Sequence, residues 1–142
     1  MEFENILSDH NCKCLNKAYE DNTSTFAIKT QKNFLRVQDF YSYWEKGKRP
    51  EDINVCDELC SYKGVSVSIF NDTTKEDVID IYKELFPLAP KNKPFVSIIK
   101  FYESSGLVKS TPNERNINHF DFYKSDEFDF TKISLIQVNE LH

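Results

Sequence analysis

Apolar and polar positions recur along this chain with two periods, and the change from one to the other predicts most of its elements. Val78, Ile81, Tyr82 and Leu85 fall at i, i+3, i+4 and i+7 behind Thr73-Thr74-Lys75-Glu76, which has the form of a capping box, and Pro87 ends the run. A helix over 74–86 follows. Val37, Phe40, Tyr41 and Trp44 share that spacing and Gly47 stands behind them as a stop, so a second short helix is predicted from about Val37 to Lys46. Pro50, followed by Glu51 and Asp52, reads as the first turn of a third helix, because a proline needs no amide partner there and carboxylates suit the exposed N–H groups. Gly64 is its stop.

A period of two takes over at Val65–Phe70, where Val65, Val67 and Ile69 alternate with Ser66 and Ser68. Thr25–Thr30, Phe95–Tyr102, Leu107–Ser110, Ile117–Tyr123 and Ile133–Val138 are the other predicted strands. The Phe95 segment is almost continuously apolar and reads as an interior strand. Ser104-Ser105-Gly106 is turn-forming, so Leu107–Ser110 is expected to return as its hairpin partner. Thr111–Asn116 and Lys124–Thr131 read as loops. Strands gathered in the second half and joined by short turns imply an α+β fold: a largely antiparallel sheet with about three helices on one face.

Length supports one domain over residues 1–142, since a chain of 142 residues can enclose one continuous core. Twelve Phe and seven Tyr make that core aromatic. The net charge of −5 weighs against nucleic acid or an anionic membrane as partner. No apolar run approaches the ~20 residues that cross a bilayer, and Met1-Glu2-Phe3-Glu4-Asn5 is acidic where a signal peptide is basic and then apolar. These features lead to the expectation of a cytoplasmic protein, in which disulfides are rare.

That expectation colours the reading of the cysteines. Cys12 with Cys14 and Cys56 with Cys60 form two close pairs, and His10 precedes the first. Four thiolates, or three with His10 as substitute, satisfy the tetrahedral preference of a structural Zn²⁺. Residues four apart on a helix share a face, so Cys56 and Cys60 can chelate together. The alternatives are buried core thiols, or disulfides, the last requiring that an export signal has been trimmed.

A second constellation lies in His119-Phe120-Asp121-Phe122-Tyr123. As a strand it puts His119, Asp121 and Tyr123 on one face and the two Phe on the other. Imidazole and carboxylate together serve as base and orienting partner or as metal ligands, whereas the same alternation is also what a half-exposed strand shows. A cysteine nucleophile with His119 as base is a further arrangement these residue types allow.

With three glycines and neither phosphate-loop pattern, a nucleotide enzyme is not expected. Lys46-Gly47-Lys48-Arg49 and Lys91-Asn92-Lys93 are short basic patches, and Phe40-Tyr41-Tyr43-Trp44 beside the first could stack on a ring. Asp126–Phe130 is an acidic and aromatic candidate surface. The function these features suggest is a small non-enzymatic binding protein, an adaptor, inhibitor or immunity-type partner of another protein. The alternative is a metal- or thiol-dependent, hydrolase-like enzyme using His119 and Asp121.

Overall fold

The computed structural model describes all 142 residues. Six strands, β1 (Phe26–Thr30), β2 (Val65–Ile69), β3 (Phe95–Lys100), β4 (Gly106–Ser110), β5 (His119–Lys124) and β6 (Ser134–Glu140), form one sheet in the order β4-β5-β2-β1-β3-β6. Every neighbouring pair is antiparallel. Three α-helices, α1 (Glu4–Leu7), α2 (Cys56–Lys63) and α3 (Lys75–Leu85), pack on one face, as the α+β reading expects.

The opposite face owes its cover to the aromatic residues. Phe26 lies 5.4 Å from Phe101 and 5.5 Å from Phe120, and Phe101 stacks on Phe122 with centroids 4.0 Å apart. Phe40 and Phe128, carried by the two long connections 31–55 and 125–133, close this core from outside. On the helical face α3 presses Val78 and Tyr82 onto Ala27, Val96 and Ile98, while α1 and α2 gather around Tyr123 at the other end of the sheet.

The expected hairpin between the Phe95 strand and Leu107–Ser110 does not form. Three strands lie between β3 and β4, which run parallel to each other. On a flat sheet the end of β3 and the start of β4 would be ~25 Å apart, across four ~4.8 Å strand spacings and one strand length, whereas six Cα steps reach ~20–22 Å. The sheet therefore curls around its aromatic core, and the link Phe101–Ser105 crosses beneath it with Phe101 buried. Ser104 does adopt the left-handed turn conformation the motif calls for, with φ 68°.

Two helix boundaries also differ. The segment from Val37 has only one 3-10 turn, Val37–Phe40, before extended and turning backbone. Of its stripe, Phe40 is buried but Val37 and Tyr41 are exposed, so continuing the helix would bury too little. The helix expected from Pro50 begins instead at Cys56; Ile53 and Val55 are exposed, and Asp52 turns the chain by accepting the Asn54 amide at 2.9 Å. Gly64 ends it as expected. Around α3 the capping box is absent: Asn71 Oδ1 accepts the Thr73 and Thr74 amides, and Thr74 Oγ1 donates to the Ile69 carbonyl.

Candidate functional site

β1 and β2 are neighbours over only two residue pairs, Phe26↔Ile69 and Ala27↔Ser68. That register would next set Ile28 opposite Val67 and Lys29 opposite Ser66, but the ladder stops there and the strands part. Tyr82 of α3 fills the fork: its hydroxyl donates to the Ala27 carbonyl at 3.0 Å and lies 3.0 Å from Ser68 Oγ, which accepts from Asn116 Nδ2 at 2.9 Å. Burial pushes the Tyr82 phenol up to about 12, so it stays a donor.

Beyond the fork a groove of about 470 Å³ opens on the helical face, a size suited to a small organic ligand. Its floor is Lys29 of β1, Ser66 of β2 and His119 of β5; α3 and the end of α2 flank it. Tyr41, Tyr43 and Lys46 come from one connecting segment, and Arg115 with Asn113 and Asn116 from the β4–β5 loop. Lys29, Lys46 and Arg115 are its cations, and Asp39 is its one carboxylate. Asp39 is already held, accepting the Arg36 amide at 2.7 Å and facing the Arg36 guanidinium at 3.5 Å. Burial first, then the positive charges of Lys46 and Arg36, hold the Lys29 ammonium below its ordinary pKa against the pull of Asp39. A bound anion would relieve that repulsion.

His119, Asp121 and Tyr123 do share the helical face, but they do not converge on one point. His119 lines the groove, with Nδ1 2.9 Å from Thr111 Oγ1 and 3.1 Å from the Thr111 carbonyl, and Nε2 3.1 Å from Ser66 Oγ. Burial lowers its pKa, partly offset by the Thr111 carbonyl, so the ring is neutral at pH 7. Asp121 lies beneath Gly64, only 3% exposed, with one carboxyl oxygen lacking a hydrogen-bond partner. Burial pushes its pKa up to about 7 against the steadying effects of Thr111 and Lys109. Tyr123 is buried away from the groove, donating to the Cys60 carbonyl at 3.0 Å, and burial followed by the Asp121 charge raises its pKa. Ser66 and Thr111, which engage both nitrogens of His119, escape a sequence reading because only strand register reveals them.

The four cysteines are two disulfides, Cys12–Cys56 and Cys14–Cys60, with Cα separations of 5.3 and 5.2 Å. This overturns the zinc site, because a structural zinc takes thiolates and no free cysteine is left. No group of three or more His, Cys, Asp or Glu could hold a metal ion. His10 is spent locally, on the Ile6 carbonyl at 2.8 Å and the Cys12 amide at 2.9 Å. The cysteine-nucleophile arrangement falls for want of a thiol, and the two disulfides, of a kind rare in the cytoplasm, run against the cytoplasmic expectation. No helix is long and apolar enough to cross a membrane.

Of the remaining candidate surfaces, Lys91-Asn92-Lys93 is exposed, while the others are committed internally. Asp126 accepts the Glu4 and Asn5 amides at the start of α1, Asp129 caps a 3-10 turn, and Phe128 and Phe130 pack on the core. Trp44 lies between the Arg49 guanidinium, 3.6 Å from its ring centroid, and Lys63 at 4.7 Å. A smaller cavity of about 230 Å³ beside α1 has its charges matched, with Lys124 on Glu45 at 2.6 Å. No protein-family model, curated protein or solved structure matches this chain.

Proposed function

We propose that this is a disulfide-stapled binding protein of an oxidising compartment, and that its ligand is a small organic anion carrying an aromatic ring, held in the groove over Lys29, Ser66 and His119. The observation that carries this reading is the charge of the groove. Three cations face it against one carboxylate already committed to Arg36, on a chain whose net charge is −5. Charges gathered in a concave, partly desolvated site act more strongly on a ligand than the same charges on an open surface. Tyr41 and Tyr43, 38% and 50% exposed, supply aromatic surface for the ring beside the lysines that lie over them, Lys48 at 4.8 Å and Lys46 at 5.8 Å from the Tyr43 centroid and Lys124 at 5.6 Å from that of Tyr41. The groove's size favours a small molecule over a docked protein surface, which buries far more area. The disulfides support the compartment, since such bonds persist where thiols are not kept reduced.

The test is binding of benzoate against neutral benzamide, followed by amide chemical shifts. Benzoate is expected to move resonances of β2, β5 and the 41–46 segment, with an affinity that weakens as salt rises, while benzamide binds at least tenfold more weakly. A Lys29→Met, Lys46→Met, Arg115→Gln variant should lose the preference. Equal binding of the two probes, or an unaffected triple variant, would overturn the reading.

A further inference from the structure

We propose that the groove is also a hydrolytic site, in which Ser66 is the nucleophile and His119 its general base toward a carboxylic ester of the small organic anion bound there. The inference rests on the anion-binding reading for its substrate class and on hydrogen-bond geometry for its chemistry.

The proton positions follow from the partners. The Thr111 carbonyl can only accept, so His119 Nδ1, 3.1 Å from it, carries the ring's hydrogen. In the neutral ring Nε2 is then bare, and at 3.1 Å it accepts from the Ser66 hydroxyl. Nδ1–H also points at Thr111 Oγ1 at 2.9 Å. The series Ser66, His119, Thr111 thus runs from hydroxyl to imidazole to carbonyl, with each donor meeting an acceptor. Its first member is exposed in the groove. A nucleophile within reach of a base that is oriented by a third group is the arrangement covalent hydrolysis needs. Rigid strands supply it here: Ser66 on β2 lies diagonally across from His119 on β5, since Ser68 is the residue directly opposite.

In the first half-reaction Ser66 Oγ bonds to the ester carbonyl carbon while its proton passes to His119 Nε2. The positive field of Lys29 and Arg115 stabilises the negative charge growing on the carbonyl oxygen. Collapse breaks the bond to the alcohol oxygen, which leaves with the proton from Nε2. A water then gives a proton to Nε2 and its oxygen to the acyl carbon; Ser66 Oγ departs and takes the proton back. The products are a carboxylic acid and an alcohol, with no net change on the protein. Thr111 is a positioning residue: its carbonyl holds the ring's tautomer and steadies the transient imidazolium.

The experiment follows 4-nitrophenolate release from the mono-4-nitrophenyl ester of succinate, with neutral 4-nitrophenyl acetate as comparison and benzoate binding measured in parallel. The intact protein should show a burst of one equivalent and prefer the anionic ester. Ser66→Ala and His119→Gln should each lose on the order of 10²-fold or more. The rate should climb with pH as His119, held below its ordinary pKa, loses its proton. Undiminished release by Ser66→Ala would overturn the proposal, as would absence of release from a protein that binds benzoate, and in both cases the binding reading would stand. Ser66-dependent release of 4-nitrophenyl acetate without benzoate binding would keep the chemistry and sink the anion reading.

Discussion

Replacing Asp121 by Asn separates the cost of a buried carboxyl from everything else that titrates near neutrality. In the unfolded chain the group ionises at its ordinary 3.8, and in the folded protein burial delays ionisation to about 7. Between those pH values the folded state holds a proton the unfolded state has lost, so stability falls as pH rises, by up to ~1.4 kcal/mol per pH unit. Over the window from 3.8 to about 7 the accumulated penalty approaches ~4 kcal/mol as an upper bound, and about half of that allows for local relaxation and water entry. His119 contributes with the opposite sign. Its folded pKa is held below 6.5, so its neutral form favours folding, and that contribution is lost as pH falls through and below 6.5. Asn is nearly isosteric and never ionises, so the variant retains the His119 slope and loses the Asp121 slope. Urea denaturation of both proteins at pH 5 and pH 8 reads the difference directly. At pH 5 the variant should lead by only ~1–1.5 kcal/mol, and at pH 8 it should be more stable by ~2–4 kcal/mol with an unchanged denaturant slope. A stability difference that is the same at both pH values would refute the claim that Asp121 is carried as a neutral acid.

Other perturbations test the staples and the packing. Converting Cys12 and Cys56 to Ala should cost about 2 kcal/mol, because Cys14–Cys60 already closes nearly the same loop and only the small ring between the two bonds is released, and the untreated protein should react with no thiol reagent until reduced, after which four thiols appear. Gly106→Ala should be far more damaging than Gly64→Ala in thermal melts: the added carbon would meet the Tyr123 carbonyl oxygen at 2.2 Å in the first case and the Asp121 Cβ at 2.9 Å in the second, and only backbone cannot step aside. Lys63→Met should cost about 1–3 kcal/mol and speed hydrogen exchange in residues 4–8, because the buried ammonium donates to the Ile6 and Ser8 carbonyls at 3.2 and 3.0 Å and ties the first helix down.

The strands were legible because each obeys a local rule that burial enforces. Val65 and Val67 enter the aromatic core while Ser66 and Ser68 turn to the helical face, and a one-residue slip would exchange them. The pairing of those strands was not legible, because it is set by contacts distant in sequence. Ser104-Ser105-Gly106 turns the chain as its composition demands, but the destination of β4 is decided by Phe101 stacking on Phe122. The stripe from Val37 to Trp44 misled for a related reason: helical spacing stabilises a helix only where the face it makes is buried, and Tyr41 and Tyr43 stand half-exposed at the groove.

The site was half visible for reasons the cysteines illustrate best. A Cys-x-Cys segment spans ~6–7 Å in extended form, close to the ~6 Å rise of one helical turn between Cys56 and Cys60, so the two pairs match in spacing whatever joins them. That match serves a tetrahedral metal and two side-by-side disulfides equally well, and four cysteines allow three pairings. Spacing therefore located the cluster without naming its chemistry; the sulfur–sulfur bonds decide it. The His119 face follows the same logic. Alternation placed His119 and Asp121 on one side of a strand, but residues two apart on a strand stand ~6–7 Å apart and need an intermediary to act together. The partners His119 does find come from other strands: Thr111 arrives from beyond the end of β4, and Ser66 from the neighbouring strand on the other side. Chemistry along one strand is readable from its own residues, whereas chemistry across three strands exists only once the register is fixed.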